Sequence, residues 1–331
     1  MSDAVIISSR VRLARNLKDY PFPVRMNDSQ RMEVMDKVRK VMCEGTFCGY
    51  KFMAVKMEDM NEFDRVAMVE RHLISPDFAS GDSGKLLITT ENEEISVMVG
   101  EEDHLRIQVI LPDFEIEKAL EIADMLDTEL DKKLHFAFDK RLGYLTQCPT
   151  NLGTGMRASV MMHLPALKES RTVSRIAANL SKLGLVIRGA YGEDTESAGA
   201  MYQISNQVTL GISEKAAVEN LKSITEQLVN SELKTRENMM QSFTYQDKIG
   251  RSYGILITAR IISHKEAVKL LSNLRMGICE GLIDSVTLET VDSLMLRIQP
   301  ASLMRLKGTR LSAEERDIVR AELIREELRI K

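Results

Sequence analysis

Hydrophobic and polar positions divide the chain into a mixed first part and a helical last part. Met32, Met35, Val38 and Val41/Met42 recur on one helical face, and Asp28 stands where it can cap that helix. Residues 85–90 and 94–99 are β-rich runs joined by polar Glu91, Asn92 and Glu93, the pattern of a hairpin. Residues 104–111 alternate, with Leu105, Ile107, Val109 and Leu111 on one face and His104, Arg106 and Gln108 on the other. Asp113 then opens a helix carrying Ile116, Ala119, Leu120, Ala123, Leu126 and Leu130. Further on, 173–183 reads as helix, 184–188 and 202–210 as strands, and Ser213 as the cap of a long helix. Strands joined by hairpins, with helices between groups, predict an α+β fold: an antiparallel sheet covered by helices on one side.

After about Thr235 the strand signal fades. Ser263-x-x-Glu266 and Ser312-x-x-Glu315 are capping-box patterns, each opening a helix; Gly281 follows the first, and Pro300 closes another helical stretch. The pattern predicts two domains, 5–235 with the sheet and an all-helical 236–331, for which 331 residues leave room.

Composition narrows the function classes. Charged residues make up 28% and apolar ones 44%, a globular balance that excludes a largely disordered chain. A net charge of −4 argues against holding nucleic acid or an anionic membrane through bulk charge. The first residues carry no signal-peptide pattern, and no apolar run approaches the ~18–20 residues that span a bilayer. Cys43, Cys48, Cys148 and Cys279 therefore read as reduced thiols of a cytoplasmic protein. Cys43 and Cys48 lack nearby partners at zinc-ligand spacing, so no structural metal is expected.

Common phosphate-binding motifs fail. Asn151-Leu152-Gly153-Thr154-Gly155-Met156-Arg157 is glycine-rich but lacks the Gly-Lys-Ser/Thr of a P-loop and the third glycine of a dinucleotide fingerprint. Protein-kinase signatures are missing too. Arginines offer another anion site. Arg10 and Arg12 share one face of an extended segment, Arg106 lies on the polar face of its strand, Arg157 follows the glycine-rich loop, and Arg188 ends a strand before Gly189. Taken singly, each also reads as a solvated surface charge. Glu102 equally reads as a solvated acid among Glu101 and Asp103, Glu193 as a turn residue, and Cys148 as a small apolar residue.

Together, Ser8-Ser9-Arg10-Val11-Arg12, Glu101-Glu102-Asp103-His104-Leu105-Arg106, Cys148-Pro149-Thr150-Asn151-Leu152-Gly153-Thr154 and Arg188-Gly189-x-x-Gly192-Glu193 resemble the phosphagen (guanidino) kinase family, in that family's order. The stretch Arg157-Ala158-Ser159-Val160-Met161-Met162-His163-Leu164-Pro165-Ala166-Leu167 resembles the bacterial protein-arginine kinases of the McsB type. So does Arg316-Asp317-Ile318-Val319-Arg320-Ala321, similar to their phosphoarginine-responsive Arg-Asp-x-x-Arg-Ala motif.

The resemblance implies a glutamine-synthetase-like catalytic fold, with ATP and Mg²⁺ as cofactors. Arg10, Arg12, Arg106, Arg157 and Arg188 would cradle the ATP phosphates, with His72 beside the nucleotide. Ser8, Ser9, Val11, Ala158, Ser159, Val160, Met161, Gly189, Ala190, Tyr191, Gly192 and Glu193 belong to the same ATP-binding segments. Glu102 and Glu193 would grip and deprotonate the substrate guanidinium, with Cys148 lining its pocket. Magnesium would sit on phosphates and water. Arg316, Asp317, Arg320 and Ala321 would form a regulatory phosphoarginine site, although a solvated helix shows the same spacing. The resemblance further implies protein substrates presenting arginine, an activator protein, a Clp-type unfoldase, a heat-shock repressor, a role in stress response and a homodimer.

The sequence departs from the family in two places. Gly100 stands where asparagine is common before the acidic pair, which is expected to loosen that loop. Only seven residues precede the Ser8-Ser9 motif, whereas kinases of free guanidino metabolites carry an N-terminal helical domain there. The open pocket this implies favours an arginine on a polypeptide. A free-arginine kinase and a non-catalytic adaptor are the competing expectations.

Overall fold

The computed structural model describes residues 4–80, 83–189 and 197–329. Its centre is an eight-stranded sheet of β1 (Ile6–Arg15), β2 (Met53–Lys56), β3 (Leu86–Thr89), β4 (Ile95–Val99), β5 (Leu105–Pro112), β6 (Met156–His163), β7 (Leu185–Gly189) and β8 (Met201–Asn206). The order is β7-β8-β6-β1-β5-β4-β3-β2, with every neighbouring pair antiparallel. β1 is thus central, between β5 and β6.

Alternation along β1 decides the two faces. Val11 and Leu13 turn toward α1 (Asp28–Cys43), α3 (Ile116–Leu134) and α6 (Glu214–Met240), joining Ile107, Val109, Val160, Leu126 and Leu221 in one core. Each such fully buried side chain contributes roughly 1.5–3 kcal/mol. Arg10 and Arg12, out of phase with these, fall on the opposite face.

That opposite face is not bare, which refines the expectation of one-sided cover. At one end Leu87 and Met98 pack with Met57, Leu73 and Phe78 around α2 (Glu62–Glu70). At the other, Ile7, Met161 and Met201 pack against a second core. That core belongs to α7 (Phe243–Thr258), α8 (His264–Cys279), α9 (Leu288–Arg297), α10 (Pro300–Lys307) and α11 (Ala313–Glu327). The arginine-bearing strip runs between the two covers. α4 (Pro165–Glu169) and α5 (Val173–Lys182) complete the helices of the sheet-bearing part.

The helical part is fastened by buried charge. Glu232 of α6 accepts from the Ala166 and Leu167 amides at 3.0 and 2.9 Å and from Arg236 at 2.7 Å. Arg236 also donates to the His163 and Ala4 carbonyls at 2.9 and 3.1 Å, and Arg275 of α8 donates to the same Ala4 carbonyl at 2.7 Å. On the far side, Glu70 at the end of α2 accepts from the Ala301 and Ser302 amides, each at 2.7 Å, and so caps α10.

Local details differ from the sequence expectations. α1 is capped by Asn27 in a full capping box with Gln30, and Asp28 is its first residue, where its charge still suits the helix dipole. Asp113 does not open α3; it adopts φ 58° in the turn, with its amide on the Ile7 carbonyl at 3.1 Å, and the helix starts at Ile116. β8 ends at Asn206, whose side chain donates to the Met156 and Val208 carbonyls at 3.1 and 3.0 Å, turning the chain off the sheet. Pro300 is N1 of α10 as well as the end of the preceding stretch. Of the two predicted capping boxes, the Ser312–Glu315 box is reciprocal, whereas at Ser263 the hydroxyl accepts from the Glu266 amide.

Candidate functional site

Strand register assembles the arginines. Arg12 stands directly opposite Arg157 on β6, and Arg106 on β5 pairs with Ala14, one step along the same face. Arg10 pairs with Ser159, and its guanidinium donates to Ser159 Oγ at 3.3 Å and Gln203 Oε1 at 2.6 Å. Arg15, out of phase, points the other way and forms a buried bidentate pair with Asp127 at 2.8 and 2.9 Å. One-residue alternation therefore separates a structural arginine from those of the site.

The site arginines repel one another. Burial first, then Arg106 and Arg157, lowers the Arg10 pKa to about 10. Arg12 is held well below the ordinary guanidinium range, mainly by Arg10 and then by burial. Arg157 is lowered by burial, then by Arg188 and Arg106. Such clustering is unfavourable for the empty protein and relieved by a polyanion, the signature of a phosphate site.

A cavity of about 210 Å³ is lined by Arg12, Arg106, Arg157, Glu102, Cys148 and Thr150 among others. It places the cations next to a carboxylate and a thiol. The acidic triplet diverges here in a way its sequence does not reveal. Glu101 pairs with Arg106 at 2.6 Å and accepts from Ser75 Oγ at 2.6 Å. Asp103 is buried and accepts from Asn16 Nδ2 at 2.6 Å and the Gln147 amide at 2.7 Å. Glu102 alone of the three lines the cavity, 3.9 Å from Arg106. Burial and then Asp103 push its pKa up, against the pull of Arg106 and a hydrogen bond from Cys148.

Asn16 and His104 fix this loop. The Asn16 side chain accepts from the His104 amide at 2.9 Å, and His104 Nδ1 accepts from the Leu17 amide at 2.9 Å. Gly100 does not loosen it. With φ 81° it passes so close to Gly84 that a Cβ would lie 2.3 Å from that carbonyl oxygen, so the departure from asparagine fits a tight crossing. The glycine-rich 151–157 segment is packed too, with the Thr154 amide on the Thr209 carbonyl at 3.0 Å.

A larger cavity, about 740 Å³, adjoins Arg10 and includes Ser8, His72, Ser159, Met161 and Gln203. His72 has φ 60° and its pKa is lowered to about 4 by burial, then by Arg10 and Arg12, so its ring is neutral. Gln108 holds the segment by donating to the His72 and Leu73 carbonyls, each at 3.1 Å. A third cavity, about 390 Å³, joins Arg157 and Arg188 with Thr150 and Thr209.

The remaining site residues fall into three groups. Ser9, Val11, Ala158 and Val160 are on the sheet's buried opposite face, so they shape the strands without reaching the cavities, and Gly189 ends β7. Ala190, Tyr191, Gly192 and Glu193 lie outside the described residues. In α11, Arg320 is buried and donates to the Ile298 and Ile262 carbonyls at 2.9 and 3.0 Å and to Asp317, while Ala321 is buried in the helical core. Arg316 is half-buried, donating to the Leu311 carbonyl at 3.3 Å. Sequence reasoning missed Asn16, Gln203 and Glu101; Gln203 alone had a signal, its polar position within an apolar strand.

The family model "ATP:guanido phosphotransferase, C-terminal catalytic domain" matches residues 33–235, and "Protein-arginine kinase McsB C-terminal domain" matches 240–331. A protein-arginine kinase of Caldanaerobacter subterraneus subsp. tengcongensis is 43% identical over 330 residues, 99% of this chain and 98% of that protein. One of Halothermothrix orenii is 45% identical over 327 residues, 98% of this chain and 93% of that protein. Among solved structures, the substrate-free duplicated taurocyamine kinase of Schistosoma mansoni is similar, with a TM-score of 0.61 and 27% identity over 70% of this chain and 35% of that one. The chain belongs to the ATP:guanido phosphotransferase family, in its protein-arginine kinase branch.

Proposed function

We propose that this protein transfers the γ-phosphoryl group of Mg-ATP to arginine side chains of proteins. One observation carries the reading: Arg12, Arg106 and Arg157 line a single cavity with Glu102 and Cys148, setting a phosphate cradle against a guanidinium-binding edge.

The residues suit the reaction. A guanidinium, with a pKa above ~12, is a poor nucleophile until a base takes its proton. Glu102, with its raised pKa, is a competent acceptor, and its planar carboxylate orients the group by paired hydrogen bonds. Glu193 is proposed as the second carboxylate from the motif alone. As the substrate nitrogen loses its proton, it attacks the γ-phosphorus and the bond to the β-bridging oxygen breaks, releasing ADP. Arg10, Arg12, Arg106, Arg157 and Arg188 neutralise the charge that builds on the phosphoryl oxygens. Magnesium, held on phosphate oxygens and water, would supply further positive charge.

Two separate apolar cores support dividing the chain into a catalytic region, 5–235, and a helical region, 236–331, although α6 runs through the boundary. We assign regulation by phosphoarginine to the Arg316–Asp317 end of α11. An activator, a Clp-type unfoldase, a heat-shock repressor and homodimerisation complete the proposal, placing the protein in cytoplasmic stress response.

Transfer of acid-labile phosphate from Mg-ATP to an arginine-rich protein tests the activity. The Glu193→Ala variant is expected to bind ATP without transferring phosphate; retained turnover removes Glu193 from the substrate site.

A further inference from the structure

The larger cavity extends well past the arginines. One end holds Arg10, His72, Ser159 and Gln203; the other is walled by α9, through Leu288, Glu289, Asp292, Ser293, Met295 and Leu296. α9 lies outside residues 33–235, which the phosphotransferase family model matches.

Its ends differ in charge. On α9, Asp292 neutralises Arg275 at 2.7 and 3.2 Å, and the other arginine of the lining, Arg71, is paired with Glu93 at 2.9 and 3.0 Å. Glu94 and Glu289 also line the cavity and have no ion-pair partner among the described residues. A triphosphate is therefore drawn to Arg10 and kept from the α9 end. A nucleoside meets the opposite situation. Its exocyclic amine and ribose hydroxyls are donors that carboxylates accept. Its flat base suits the lining of Met161, Met201, Met295 and Leu296, since thioether side chains adapt to aromatic faces. Leu296 is 37% exposed, an apolar surface on the cavity wall that such a base would cover.

We propose that α9 forms the nucleoside wall of the ATP site, with Ser293 and Leu296 facing the base and ribose. The inference rests on the ATP reading above and deepens it: a helix of the helical region becomes a nucleotide-specificity element. The binding energy of the nucleoside then acts directly on α9, and through the Arg275–Asp292 pair on α8.

Calorimetric titration of the full chain with Mg-ATP and with magnesium tripolyphosphate separates the two ends of the site. Ser293→Trp fills the wall, and is expected to raise the Kd for ATP about tenfold or more while the Kd for tripolyphosphate stays within about twofold. Leu296→Ala, a milder change at an exposed position, is expected to weaken ATP by about threefold with tripolyphosphate unchanged; it decides the matter alone if the tryptophan variant does not fold. Unchanged ATP affinity in both variants overturns the proposal, and so does parallel weakening of ATP and tripolyphosphate. Unsubstituted protein that binds neither ligand overturns the ATP reading itself and this inference with it.

Discussion

Arg12→Met is expected to make the nucleotide-free protein more stable while disabling it. Arg12 and Arg157 are directly opposed across β1 and β6, and Arg10 is the largest cause of the lowered Arg12 pKa. Opposed side chains start from Cβ atoms about 5 Å apart. With guanidinia roughly 7 Å apart and an effective dielectric of about 20, one such repulsion is worth about 2 kcal/mol. Glu101 offsets part of it, leaving a net gain of about 1 kcal/mol when the charge is removed and the apolar stem kept. In a chain of 331 residues that is a rise in Tm of about 1.5 °C. The same substitution removes charge-assisted hydrogen bonds to phosphate, weakening ATP by about 10- to 100-fold and slowing transfer by about 10²- to 10³-fold. Thermal melts with and without Mg-ATP, together with titration calorimetry, read both effects. A variant that melts lower than the parent without nucleotide, yet keeps full ATP affinity, refutes the reasoning.

Glu102→Gln should reduce transfer by about 10²- to 10⁴-fold, and the loss of activity as pH falls through the raised Glu102 pKa should vanish from the residual profile. His104 has its folded pKa lowered to about 4 by burial, below the ~6.5 of an unfolded chain, so protonation favours unfolding. Its neutral form costs nothing above that unfolded value, and stability falls as pH drops from about 6.5 toward 4; at pH 5 its share of the loss is about 2 kcal/mol, and His104→Gln should remove that share over the window while His72, lowered to about 4 as well, keeps its own. Arg320→Ala should destabilise the helical region by about 3 kcal/mol, because it removes a buried guanidinium from two carbonyls and Asp317. Arg316→Ala should leave the melt unchanged and abolish any response of the basal rate to phosphoarginine; an unaltered response returns α11 to a purely structural role.

How much of this was legible in the sequence follows from the range of the interactions involved. Period-two alternation placed Arg10, Arg12 and Arg106 on polar faces because side-chain direction in a strand is set locally. The Ser312–Glu315 box was legible for the same reason, since both partners lie within one turn. Asn27 took the cap expected of Asp28 because either residue serves, and Gln30 closes the box only from Asn27. The separate fates of Glu101, Glu102 and Asp103 were not legible. They depend on Arg106, Ser75 and Asn16, which only the folded sheet brings to that loop. Arg320 shows the same limit: its spacing from Arg316 is local, but the carbonyls that engage it come from two other helix ends.

The arginine cradle is proposed to serve phosphoryl transfer to arginine within proteins. Incubation with Mg-ATP and either casein or free arginine, followed by assay of acid-labile phosphate on each acceptor, tests it most directly. Label on casein, lost in Arg12→Met and Glu102→Gln, with little on free arginine, is the expected result. Label on free arginine alone, or on neither acceptor, would contradict it.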